Sequence, residues 1–130
     1  MSPIADNISN TAENRTLDWM MGSTTTAPTT PLKVALVTAA GDDATAGTEV
    51  TGGSYARKTL TVGASSGGSV SNSADLDWTG MPACTIVGWE IWDSAGTSIR
   101  WWYGPLDASK TLAAGDEFKL TAGSLQLAIS

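Results

Sequence analysis

Histidine is missing from this chain altogether, and cysteine occurs once in 130 residues. Acid–base and nucleophilic catalysis near neutral pH draw on an imidazole, or on a Cys or Ser beside a base. Cys84 has no imidazole to activate it, and the serines sit in turn-rich stretches without a nucleophile-elbow pattern. Three carboxylate groupings, Asp42 with Asp43, Asp75 with Asp77 and Asp116 with Glu117, are close in sequence, but adjacent acids in such stretches read as solvated turn residues. No enzymatic activity and no cofactor are expected. Structural zinc draws mainly on Cys and His, and no EF-hand spacing offers a calcium loop, so no metal is expected either. A lone cysteine cannot close an internal disulfide; Cys84 reads as a small buried hydrophobe, and the fold must rest on its core or on partner subunits.

Charge is also scarce. Charged residues make up 15% of the chain, with seven basic against thirteen acidic, for a net charge of −6. Phosphate neutralisation needs a basic patch, and this sequence has none, which excludes nucleic acid and anionic membrane surfaces as expected partners. No apolar run approaches the roughly 18 residues that span a bilayer, and the start lacks a basic segment followed by an apolar one.

What fills the chain instead is Gly, Ser, Thr and Ala around short apolar alternations, a composition with few strong helix formers. Its length suits one domain with a core that buries on the order of two-thirds of the unfolded surface. Residues 1–30 read as an N-terminal arm, a short helix and a linker, and residues 31–130 as a single β domain. In the arm, Asn10 is placed to cap a helix with Glu13 three residues on; Leu17, Met20 and Met21 then fall on one side before Gly22 stops it. Such a helix is marginal alone, so it should pack on the β domain or on a neighbouring subunit. Over 23–31 the Thr/Pro pattern predicts an extended linker.

Leu32, Val34 and Leu36 alternate with Lys33, Ala35 and Val37, predicting a strand with one face in the core. After a polar loop at 41–46, Gly52-Gly53 should turn the chain into a strand over 57–62. The Gly/Ser-rich stretch 63–73 reads as a hairpin tip or an exposed loop. Leu76, Trp78 and Met81 predict an apolar turn covering one end of the core. The strongest signal is the hairpin of 85–103: Val87, Trp89 and Ile91 on one strand, a three-residue turn at Ser94-Ala95-Gly96, and Ile99, Trp101 and Tyr103 on the return. The opposite face would carry Glu90, Trp92, Arg100 and Trp102, with Glu90 and Arg100 paired across the strands. A final pair runs through Phe118 and Leu120, then Leu125, Leu127 and Ile129. About seven antiparallel strands with a short N-terminal helix predict an all-β fold, either a β-sandwich or a jelly-roll-like barrel.

Six tryptophans stand out in a chain of this size, and the plainest reading is that all six fill the interior or sit under loops. Alternation sets Trp89 with Trp101 and Trp92 with Trp102, so one pair is expected in the core and the other on an amphipathic surface with Tyr55 nearby. Surfaces of that kind suit protein interfaces and sugar stacking. The partner-binding candidates are Trp19, Met20, Tyr55, Arg57, Trp92 and Trp102. The segment Glu49 to Arg57 has two readings: a turn in which Arg57 meets a carboxylate such as Glu49, or a docking loop anchored by Tyr55 and Arg57.

The strand ending Leu36-Val37-Thr38-Ala39, followed by Gly47-Thr48-Glu49-Val50-Thr51-Gly52-Gly53-Ser54-Tyr55-Ala56-Arg57, resembles a family of small tailed-bacteriophage virion proteins. These are labelled tail fibre-like, minor tail or head decoration proteins. The resemblance continues through the aromatic hairpin, the Gly104-Pro105-Leu106 step and the last alternating strand. It implies a structural virion protein, assembled in the host cytoplasm and carried on the particle. The first expectation is a capsid decoration or cement protein, a homo-oligomer (trimer or dimer) bound to the major capsid protein or other virion proteins. The alternatives are a tail or tail-fibre-associated protein involved in host attachment, and a carbohydrate-binding β-sandwich module.

Overall fold

The computed structural model describes residues 4, 5, 7–23 and 27–129. The expected linker is therefore covered except for 24–26, which lie outside the described residues, as do 1–3, 6 and 130. The elements in chain order are β1 (Ile4–Ala5), α1 (Asn10–Met20), β2 (Lys33–Ala39), β3 (Thr48–Glu49), β4 (Lys58–Thr59), β5 (Ser69–Ser71), β6 (Leu76–Trp78), β7 (Cys84–Trp92), β8 (Arg100–Leu112), β9 (Phe118–Leu120) and β10 (Gln126–Ala128).

The fold is all-β with one short helix. β7 and β8 form the long antiparallel hairpin, β2 runs antiparallel along β7, and β3 and β4 pair with different parts of β2, completing a five-stranded sheet. A second layer comes from the β6–β9 pair and from β10, which lies antiparallel to β5 and parallel to β1. Val34, Leu36, Trp89 and Ile91 from the first layer meet Leu76, Trp78, Phe118 and Leu127 from the second in one core cluster. The arrangement is sandwich-like, and the described strands do not close into a barrel. Each large side chain fully buried there contributes about 1.5–3 kcal/mol.

Several local expectations change. β2 does not alternate: Val34, Ala35, Leu36 and Val37 are all buried, because the strand is central and both its faces are covered. Leu76 to Trp78 forms strand β6 rather than a turn, and the Gly/Ser-rich stretch contributes β5. The strand expected over 57–62 shortens to β4. The helix is capped one residue earlier than its sequence suggests. Ser9 Oγ accepts from the Ala12 amide at 3.2 Å, and Asn10 is already helical. At the other end Gly22, at φ +80°, lets the Gly22 and Ser23 amides bond back to Trp19 and Asp18.

The hairpin departs most. Its connection is a loop over 93–99 closed by the Asp93 amide on the Ile99 carbonyl at 3.0 Å, not a three-residue turn. The Asp93 carboxylate accepts from the amides of Ala95 and Ile99 and from Trp101 Nε1. Burial would raise this carboxyl, but those bonds outweigh it and hold it below the usual range. A register shift next to Trp92 then sets Ile91 opposite Trp102 and Trp92 opposite Arg100. Cross-strand partners share a face, so Trp102 joins Trp89 and Ile91 on the core side, and the expected pairing of Trp92 with Trp102 is overturned.

Gly104 sits opposite Trp89. A Cβ there would fall 2.6 Å from Trp89 Cζ2, and a Cβ at Gly88 would fall 2.5 Å from the Gly104 carbonyl. The ring of Trp89 therefore occupies the space that Gly104 leaves, while Gly88 lets the β8 backbone approach closely, which explains the Gly-Pro-Leu step physically.

Candidate functional site

β3 and β4 both pair with β2 but leave a gap between them. Across that gap the Leu36 amide finds no strand partner; it donates to Tyr55 Oη at 3.0 Å, and Tyr55 in turn donates to Glu49 Oε2 at 2.6 Å. The phenol thus stands in for a missing rung of the ladder. The turn that delivers Tyr55 uses Gly52 and Gly53 at positive φ; a Cβ at Gly53 would fall 2.6 Å from the Gly80 carbonyl. Trp78 Nε1 pins the same segment from the core by donating to the Ala56 carbonyl at 2.9 Å.

Glu49 also receives a two-pronged grip from Arg57, Nε at 3.0 Å and Nη2 at 2.9 Å. Burial would push the Glu49 carboxyl up, yet the bonds from Arg57 and Tyr55 outweigh it and lower it below the ordinary value. Tyr55 moves the opposite way: burial, then its bond to Glu49, raises the phenol far above its usual range. The Arg57 guanidinium lies 4.6 Å from the centre of the Trp92 ring, a cation–π contact.

Trp92 links this motif to the hairpin. Its Nε1 donates to Glu90 Oε1 at 3.2 Å, while Glu90 Oε2 accepts from the Gly47 amide at 2.7 Å and from Arg100 Nη1 at 3.3 Å. Glu90 and Arg100 pair as expected, but both are buried, 2% and 6% exposed. That location turns a weak surface pair into one whose disruption strands a charge. Arg100 stacks 4.6 Å from the Tyr103 ring and donates to the Asp42 carbonyl; Tyr103 Oη bonds Asp43 Oδ1. Burial, followed by that carboxylate, pushes the Tyr103 phenol up to about 12. A chain of contacts therefore runs from Tyr55 through Glu49, Arg57, Trp92, Glu90 and Arg100 to the 41–47 loop.

Of the partner-binding candidates, Tyr55, Arg57 and Trp92 come together in this network, half-buried and engaged within the chain. The turn reading of the Glu49–Arg57 segment is the one its geometry matches. Trp102 stands apart, half-buried beside the core on the other sheet face. Trp19 and Met20 lie on α1, 60% and 63% exposed. Residues 7–9 bind their own chain: the Ser9 amide donates to the Trp101 carbonyl, and the Tyr103 amide to the Asn7 carbonyl, each at 3.0 Å. The arm extends the free edge of β8. Sequence reasoning missed the apolar groove between α1 and β8, lined by Ile8, Arg15, Trp19, Trp101, Trp102 and Ile129. Only Trp19, four residues beyond Arg15 and seven beyond Ala12 on one helical stripe, signalled it.

Among the described residues no cluster of His, Cys, Asp or Glu has the makings of a metal site. No helix among them is long and apolar enough to cross a membrane. The sequence model of the family described as podophage GP4 fiber I protein gp80 matches residues 7–128. No curated protein matches the chain.

Proposed function

The chain belongs to the podophage GP4 fiber I protein gp80 family, and is thereby a tail fibre-like structural protein of the phage virion; from that membership we propose that it serves as a non-catalytic building block of the tail fibre apparatus. The observation that carries this reading is the breadth of the match, 7–128, which includes both the Gly47–Arg57 motif and the aromatic hairpin.

The chemistry of the chain agrees with a role built on shape. Its most reactive group, the Cys84 thiol, is raised by burial and so is less nucleophilic at neutral pH. Glu49 and Arg57 of the motif, and Glu90 and Arg100 of the hairpin, are engaged in holding strands and loops together. Exposed apolar side chains on α1 supply contact area toward neighbouring virion proteins, including further copies of the same chain. The acidic charge favours the solubility of copies before they join the particle.

Quantitative mass spectrometry of purified particles, with antibody labelling in electron micrographs, tests the assignment. The expected result is a small copy number confined to the tail. Many copies spread over the shell would move the protein to a decoration role on the major capsid protein; absence from particles would overturn the virion assignment altogether.

A further inference from the structure

α1 touches the sheet through Ala12 near its start, and among the described residues little covers the rest of its apolar surface. Leu17, Trp19, Met20 and Met21 on the helix, with Ile129 across the groove, are each between 57% and 78% exposed. At roughly 200 Å² for a large side chain, Leu17, Met20 and Met21 leave on the order of 400 Å² of apolar surface bare on one side of the helix, and Trp19 with Ile129 on the order of 250 Å² on the other. A ridge seated in a groove would cover the two together, on the order of 650 Å² in total, the scale of a weak contact beside the roughly 1,600 Å² of a standard interface. The two areas are complementary in shape. Leu17, Met20 and Met21 form a ridge turned away from the Ala12 stripe, while Trp19, Trp102 and Ile129 line the groove between α1 and β8, whose cavity measures about 380 Å³.

We infer that a second copy of this chain covers this surface, the Leu17/Met20/Met21 ridge of one copy seating in the Trp19/Trp102/Ile129 groove of the next. Flexible methionines suit an irregular apolar cavity. Charge selects this pairing over ridge against ridge: the ridge is flanked by Glu13 and Asp18, and the groove carries Arg15 at its rim. Two ridges facing each other would set like charges together, whereas ridge in groove sets acid beside base. Because donor and acceptor surfaces differ, the contact is head-to-tail and each copy keeps one of each for further neighbours. The inference rests on the reading of the chain as an assembly subunit, and it names the surface by which copies meet.

The test is sedimentation of the full chain and of two variants. Met20→Asp with Met21→Asp removes the ridge; Ile129→Asp spoils the groove; all three positions are exposed, and thermal unfolding verifies that the variants stay folded. The wild type is expected to self-associate, and each variant alone to weaken association tenfold or more, towards the 13.4 kDa monomer. Mixing the two variants should restore a one-to-one pair, because an intact ridge then meets an intact groove. A monomeric wild type, variants that associate undiminished, or a mixture that stays monomeric each overturns the inference. None of these outcomes touches the fibre assignment, which stands or falls on copy number in particles.

Discussion

Replacing Gly104 by Ala adds a single methyl group, and the geometry around Trp89 sets its cost. The new Cβ would lie 2.6 Å from Trp89 Cζ2 and 3.0 Å from Cε2, both well inside van der Waals contact. Trp89 is fully buried among Val34, Leu36 and Ile91, so its ring has no solvent side into which to swing. Overpacking of this kind costs about 1–3 kcal/mol. At this chain length each kcal/mol lowers Tm by about 3–4 °C, which gives an expected drop of about 3–12 °C. Thermal unfolding followed by tryptophan fluorescence measures it directly. Gly96→Ala is the control, since a Cβ there meets nothing within 4 Å; its Tm should stay within about 2 °C of wild type. A double-mutant cycle with Trp89→Leu isolates the contact: once the ring is gone, adding Ala at 104 should cost little, giving a coupling energy of about 1 kcal/mol or more. A Gly104→Ala protein with wild-type Tm, or a cycle showing no coupling, would refute the claim that this glycine exists to seat the indole.

Tyr55→Phe keeps the ring but leaves the Leu36 amide without its acceptor, and should cost about 1–3 kcal/mol in urea unfolding; an unchanged midpoint would show that water replaces the phenol freely. Glu90→Leu strands the buried Arg100 guanidinium and should destabilise by about 3–5 kcal/mol, with Glu90→Leu/Arg100→Leu recovering part of the loss. If the double variant is no better than the single one, the two charges do not act as a pair. Stability should also fall in acid. Glu49 and Asp93 have carboxyls depressed below their unfolded values of 4.5 and 3.8, so their contribution is complete above about pH 4.5 and disappears as pH drops through the lower folded values. Chemical denaturation between pH 6 and pH 2.5 checks this, and Glu49→Gln should flatten the upper part of the decline. A midpoint independent of pH across that window contradicts the network.

Much of the fold could be read directly from residue order. The two-residue period along Val87, Trp89 and Ile91 marks a strand regardless of its neighbours, and Gly52-Gly53 marks a turn because few other residues accept positive φ. The Glu49–Arg57 pair was equally legible, since its members are close in sequence and of opposite charge. Less legible was the hairpin register: a single extra residue beside Trp92 reverses which tryptophans share a face, and alternation counted along one strand cannot detect a bulge. The role of Tyr55 was hidden for a similar reason. Its partner, the Leu36 amide, is a backbone group made needy only by the gap between β3 and β4.

By itself, the order of amino acids determined that this protein is built largely of strands, carries no histidine chemistry, has an acidic net charge and holds a motif of a virion family. Those properties depend on local propensity, on summed charge and on the kinds of group present, none of which needs a third dimension. Only the tertiary structure decided that Glu90 and Arg100 pair in the interior, that Arg57 lies over Trp92, and that α1 leaves an apolar ridge beside an apolar groove. Each of those depends on which distant segments meet, and that is settled by how the two layers close over one core.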